Sequence, residues 1–162
     1  MAFKTKFKGY YADCYVLSDK RHLDFILSFL DKFLPNHIES ADEYKVPQYS
    51  DSSSVSFNNA DDLIEYLSEN INETYSIYWA NKETSVLKGA MCFFTNDGNI
   101  IIGVYCDTAY PDTTIEKQYL AELKDFCKSQ HGYITYEETA PDNTPDFLEK
   151  VQRFEALKNN IE

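Results

Sequence analysis

Residues 75–106 read YSIYWANKETSVLKGAMCFFTNDGNIIIGVYC, a succession of strand-forming runs broken by turn residues. Tyr75, Ile77 and Trp79 recur at every second position and therefore share one face of a strand. Lys82 to Thr84 mark a turn. Val86 to Phe94 and Asn99 to Cys106 are separated by Thr95-Asn96-Asp97-Gly98, in which Asp and Gly tolerate the positive φ of a tight hairpin. A three-stranded antiparallel meander over 75–106 follows. Both of its faces are apolar, as Ile100-Ile101-Ile102 illustrates, so each must be covered, by helices on both or by one helical layer plus a partner.

Upstream, residues 6–17 carry Phe7, Tyr10, Tyr11, Tyr15 and Val16 and read as an opening strand with a bulge near Gly9. Lys4, Lys6 and Lys8 alternate as on a solvated strand face. Ser18 or Asp19 is placed to cap a helix over 19–34, whose apolar stripe runs Leu23, Ile26, Leu27, Leu30, Phe33 and Leu34, and Pro35 stops it. Residues 36–54 show no periodicity and read as a long acidic loop, the first place to seek a partner surface. A short strand at 55–57 precedes a second helix capped by Asn59 and ending near residue 70.

Downstream, Thr113 and Glu116 match a capping box opening a third helix that runs to about residue 129. His131-Gly132 reads as its exit, with Gly132 at positive φ. A strand over 133–136 follows, and Thr144 as N-cap with Pro145 at the first helical position predicts a terminal helix. The order is strand, helix, short strand, helix, three strands, helix, strand, helix, without repeat or linker. It predicts one acidic domain over residues 1–162. The class is α+β, or an α/β sandwich: a central, mainly antiparallel sheet with about four helices packed on it.

The 162 residues are 43% hydrophobic and 15% aromatic, enough for a core that needs neither metal nor disulfide. The 27 acidic against 15 basic residues give a net charge of −12, which disfavours nucleic acid, whose backbone is bound by cations that release counterions. No stretch reaches 18 apolar residues and no apolar segment follows the amino-terminal lysines, so neither a membrane span nor a secretory signal is expected, and a cytoplasmic location is the simplest reading. Cys14, Cys92, Cys106 and Cys127 lack CxxC spacing and lie in apolar or aromatic stretches, which predicts buried, reduced thiols.

Motifs for chemistry are sparse. His22, His37 and His131 stand alone, without metal-ligand spacing. The five glycines never form GxGxxG, GxxxxGK or GxSxG, so no cofactor is expected. The enzyme alternative is a small hydrolase-like or thiol enzyme using Cys106 at a strand end with His131 as base. Against it, Cys106 continues the alternation of Ile100, Ile102 and Val104 and should point inward. Glu137 and Glu138, consecutive in extended chain, would face opposite sides and form no acid pair.

Charge is unevenly distributed. Residues 36–75 hold nine acids against one lysine and residues 107–149 ten acids against three lysines, whereas residues 76–106 are neutral. If the two acidic segments meet, they make a surface that steers a basic partner, with tyrosines supplying rigid contact area. The candidate contact residues are Asp42, Glu43, Tyr44, Tyr49, Asp107, Tyr110, Asp112, Glu137 and Glu138. The apolar sheet faces also admit a homodimer.

The run from Phe93 to Tyr105, strand, Asn-Asp-Gly turn, strand, and the later Gly132-Tyr133-Ile134 followed by Glu137-Glu138, resemble in overall character the bacterial immunity proteins. Those are compact acidic domains that neutralise toxins. The resemblance implies a non-enzymatic protein that binds and occludes a basic toxin domain.

Overall fold

The structure, a computed structural model, describes residues 11–161. The alternating Lys4, Lys6 and Lys8 and the bulge expected near Gly9 lie outside the described residues. In order, the elements are β1 (Tyr11–Ser18), α1 (Leu23–Phe33), β2 (His37–Glu39), β3 (Tyr44–Val46), β4 (Val55–Phe57), α2 (Ala60–Glu69), β5 (Tyr75–Asn81), β6 (Leu87–Phe94), β7 (Ile100–Asp107), α3 (Thr114–Cys127), β8 (Gly132–Thr135) and α4 (Thr144–Ile161). Six strands form an antiparallel sheet in the order β2-β5-β6-β7-β1-β8, and β3 pairs with β4 in a separate ribbon. This is the α+β class, with the meander at its centre and four helices among the described residues. None of those helices is long and apolar enough to cross a membrane.

The β6-β7 hairpin closes as its turn chemistry requires. Gly98 sits at φ +90°, and the Asn99 N–H donates to Thr95 Oγ1 at 2.9 Å. Asp97 faces outward from the same turn and accepts from both the N–H and the hydroxyl of Thr144 at 2.9 Å, fastening the start of α4 to the meander.

Several local expectations are corrected. The helix expected over 19–34 begins at Leu23 because His22 Nδ1, not Ser18 or Asp19, accepts the Phe25 N–H. The aperiodic 36–54 stretch contains β2 and β3; three-residue strands are too short for alternation to reveal. Thr113 makes no side-chain cap, since Glu116 turns inward and Asp112 accepts from the Thr114 N–H instead. The left-handed residue that ends α3 is Lys128, φ 52°, not Gly132. Gly132 starts β8, where a Cβ would meet the Tyr15 carbonyl at 2.8 Å. The cap of α4 is Asn143, which accepts from the Asp146 N–H at 2.8 Å; Thr144 is occupied with Asp97.

Strand alternation sorts the sheet into two faces. Ala12, Cys14, Val16, Ile77, Trp79, Cys92, Ile102 and Val104 point to the first, which α1, α2, α3 and the β3-β4 ribbon seal. Phe25, Phe29 and Phe33 of α1 meet Phe126 of α3 at ring separations of 5.3 to 6.3 Å. One polar group holds this layer together. Arg21, one of only two arginines in the chain, is 5% exposed. Its guanidinium donates to the carbonyls of Leu67, Asn70, Ile71 and Glu73 at the end of α2 and of Thr95 and Asn99 at the hairpin, at 2.8 to 3.4 Å. A planar fork can satisfy carbonyls from two elements at once, and the carboxyl end of a helix attracts a cation.

The second face carries Asp13, Tyr15 and Leu17 of β1, Ile101, Gly103 and Tyr105 of β7, Met91 and Phe93 of β6, and Tyr78 of β5, as the register dictates. On this face α4 packs against β8 and seats Phe147 on Tyr133, ring centroids 5.1 Å apart. Tyr78 and Tyr105 at its margin remain half-buried, and Ile38 on β2 is exposed.

Candidate functional site

Where α4 stops covering the second face, three adjoining cavities form one groove. The first, about 370 Å³, lies between loop 40–49 and β5 and is lined by Glu43, Tyr44, Tyr49, Tyr75 and Tyr78 among others. The second, about 260 Å³, shares Gln48, Tyr49, Tyr75 and Ser76 with it and adds Glu73, Phe93 and Asp142. The third, about 350 Å³, shares Ala140 and Pro141 with the second and runs along α4 past Glu138, Asp146 and Glu149.

One wall is set by Gln48. Its Nε2 donates to the Ser76 carbonyl at 3.0 Å and its Oε1 accepts the Ser76 N–H at 2.8 Å, so a side-chain amide stands where β5 would otherwise need a neighbouring strand. Loop 47–49 is thereby fixed to the sheet edge. Tyr49, at the junction of the first two cavities, takes φ 64° with its side chain 89% exposed. A bulky residue in the left-handed region costs about 1 kcal/mol or more, and here no burial of its ring offsets that cost.

The other wall is loop 136–142, held from beneath by Asp13. This carboxylate, 6% exposed, accepts the Glu138 N–H at 2.9 Å. Burial pushes its pKa up to about 6, against the backbone N–H groups of Glu138 and Glu137, which favour the charged form. The Tyr15 hydroxyl donates to the Glu138 carbonyl at 2.5 Å, Glu137 takes φ 53° in the turn, and the Asn96 N–H reaches the Asp142 carbonyl at 2.9 Å.

The two acidic segments of the sequence meet along this groove, Glu43 and Glu73 from the first and Glu138, Asp142, Asp146 and Glu149 from the second. Lys150 pairs with Glu138 at 3.1 Å and Arg153 with Glu149, so the two cations of α4 that line the third cavity are already engaged. Among the described residues, no ion pair includes Glu43, Glu73, Asp142 or Asp146.

The nine residues singled out from the sequence do not all converge. Glu43, Tyr49 and Glu138 line the groove, with exposed Asp42 and Glu137 beside them in sequence. Tyr44 lines it only from below: it is 3% exposed, with its hydroxyl donating to Glu39 Oε1 at 2.9 Å, because β3 turns it into the core rather than to solvent. Asp107, Tyr110 and Asp112 line none of the three cavities. Asp107 ends β7 opposite Tyr11. Asp107 lies 3.6 Å from Lys88, Tyr110 packs edge-on against Tyr136, and Asp112 caps α3.

The Cys106–His131 arrangement is not assembled. Cys106 is fully buried opposite Ala12, while the His131 carbonyl accepts the Leu17 N–H at the other end of β1. All four thiols are buried and unbridged. Burial raises the Cys92 thiol, and Cys127 is pushed up to about 12; Cys14 is raised by its hydrogen bond with Cys106 and by burial, the opposite of an activated nucleophile.

Sequence reading missed Gln48, Asp13 and Glu116. Asp13 carried a signal, an acid on the same strand face as Tyr11, Tyr15 and Leu17. Glu116 is fully buried, its Oε2 accepting from Thr108 Oγ1 at 2.7 Å and from the Tyr136 hydroxyl at 2.8 Å, while Oε1 has no hydrogen-bond partner among the described residues. No cluster of three metal-ligating side chains occurs among the described residues. No family model, curated protein or solved structure matches the chain.

Proposed function

We propose that this chain is a non-enzymatic binding protein of the cytoplasm that seats a basic protein partner in the acidic, tyrosine-lined groove and, in the manner of an immunity protein, occludes the working surface of a toxin domain. The observation that carries this reading is the convergence of carboxylates from two distant segments on one groove whose junction bears the exposed Tyr49. Unpaired carboxylates steer a cationic surface toward the groove, and aromatic rings supply contact area at low entropic cost. Unbridged buried thiols agree with a reducing compartment.

The test is calorimetry with the purified basic products of the genes adjacent to this one. A saturable heat is expected, weakened by added salt and by Glu73→Lys. Absence of heat with every such protein overturns the reading. A second copy is the competing occupant of this face, because Ile38, 55% exposed, extends it onto edge strand β2. Sedimentation at rising concentration separates the two.

A further inference from the structure

We infer that the outer edge of β2 is a self-pairing surface: a second copy of this chain adds its own β2 antiparallel, about a two-fold axis at Ile38, and joins the two six-stranded sheets into one. This surface is distinct from the groove of the partner-binding reading, since Ile38 lines none of the three cavities. β2 is a terminal strand of the sheet, and its backbone decides which residues are left to pair. The Asn36 carbonyl accepts the Lys82 N–H at 2.8 Å, and the Ser40 N–H donates to the Tyr78 carbonyl at 3.0 Å. By the alternation of an antiparallel ladder Ile38, opposite Ala80, also turns its backbone groups into the sheet. Those of His37 and Glu39 turn outward, where no described strand meets them. Such an edge is a template for another strand.

The side chains select the strand that fits. β2 carries neither lysine nor proline to guard its edge, and Ile38 is 55% exposed. Pairing about the axis sets Ile38 against Ile38 of the second copy in a non-hydrogen-bonded pair, the closer of the two cross-strand spacings, so each covers the other. It sets His37 against Glu39 in both directions, each pair exchanging its N–H···O bonds, and brings no carboxylate directly opposite another. Parallel pairing in register would oppose Glu39 to Glu39. Both polar side chains are already held: His37 Nδ1 donates to the Leu34 carbonyl at 2.7 Å, and Glu39 Oε1 accepts from the Tyr44 hydroxyl and the Ala60 N–H at 2.9 Å. His37-Ile38-Glu39 is therefore a preorganised patch complementary to itself, which a two-fold contact requires.

The test is sedimentation velocity of the full chain from about 10 µM to about 1 mM, the range in which so short a contact associates. A dimer is expected, strengthened by added salt because each copy carries a net charge of −12, whereas salt weakens a basic partner in the groove. Ile38→Lys and His37→Glu each weaken it at least about tenfold, and His37→Lys does not. Disulfide trapping with oxidised glutathione reads the register: Ile38→Cys, face to face with its mate, crosslinks, while Ser40→Cys, about 13 Å from its mate, does not. The four native thiols are buried and do not compete. A monomer throughout the range, a dimer indifferent to Ile38→Lys, or equal trapping at both positions overturns the edge dimer. Calorimetry on Ile38→Lys keeps the two readings apart. Heat from a basic protein when the parent chain never self-associates overturns the dimer alone; an edge dimer with no heat from any basic protein leaves the dimer standing and overturns partner binding.

Discussion

The two faces of the six-stranded sheet are made of alternate residues of the same strands, yet they end in different states. On the first, three helices and a ribbon exclude water from aliphatic and phenyl side chains, and the deeply buried cation, Arg21, is surrounded by backbone carbonyls. On the second, one helix covers the β8 side and leaves tyrosines, a buried carboxylate and a groove toward β5. The first face is sealed, and among the described residues its buried side-chain polar atoms, Glu116 Oε1 excepted, meet partners within the chain. The second retains ring surface and negative charge that the chain itself does not use, which is why the proposed recognition is assigned to it.

Substitutions on the two faces should separate stability from binding. Phe29→Ala, at a fully buried ring of the first face, is expected to cost about 4 kcal/mol in urea unfolding while leaving ligand affinity of the folded fraction unchanged. Tyr78→Ala should cost much less stability and lose binding; equal losses of stability would dissolve the contrast. Arg21→Met strands carbonyls of α2 and of the hairpin and should cost about 3 kcal/mol, with Arg21→Lys recovering less than half, because an ammonium cannot reach both elements in one plane.

Asp13 sharpens the comparison through pH. Its pKa is about 6 in the folded protein against an ordinary 3.8, so between those values the native state holds the extra proton. Its contribution to stability therefore rises as pH falls from about 7 toward 4 and is flat below that. Relative to Asp13→Asn, the native protein should gain about 3 kcal/mol across this window in urea unfolding. Parallel pH profiles for the two proteins would remove Asp13 as the titrating support of loop 136–142. The smallest effect is expected at Tyr49→Gly, which relieves the left-handed backbone and should raise stability by at most about 1 kcal/mol in thermal unfolding.

Much of the fold could be read along the chain. The alternation through Tyr75, Ile77 and Trp79, the Asn96-Asp97-Gly98 turn and the Asn59 cap are short-range features, and each is realised within a few residues of where it is written. Glu116 shows the limit. Its spacing from Thr113 suits a capping box, but α3 lies against β1 and β7, and the buried Thr108 and Tyr136 contacts win its side chain. Tyr44 shows it again, since a residue in an aperiodic acidic stretch has no local mark of the ribbon that turns it inward.

The site was partly visible as two acidic segments flanking a neutral meander, a property of composition alone. The sequence by itself determined the meander, the amphipathic helices and the segregation of charge, because periodicity, turn chemistry and charge count act over neighbouring residues. Only the tertiary structure decided that β1 inserts between β7 and β8, that loop 136–142 then crosses the second face above Asp13, and that Glu43 and Glu73 share a groove with Asp142 while Asp107 and Asp112 do not. Strand order depends on pairings between residues far apart in the chain, whose gain is realised only after the intervening loops have closed, and no local pattern records them.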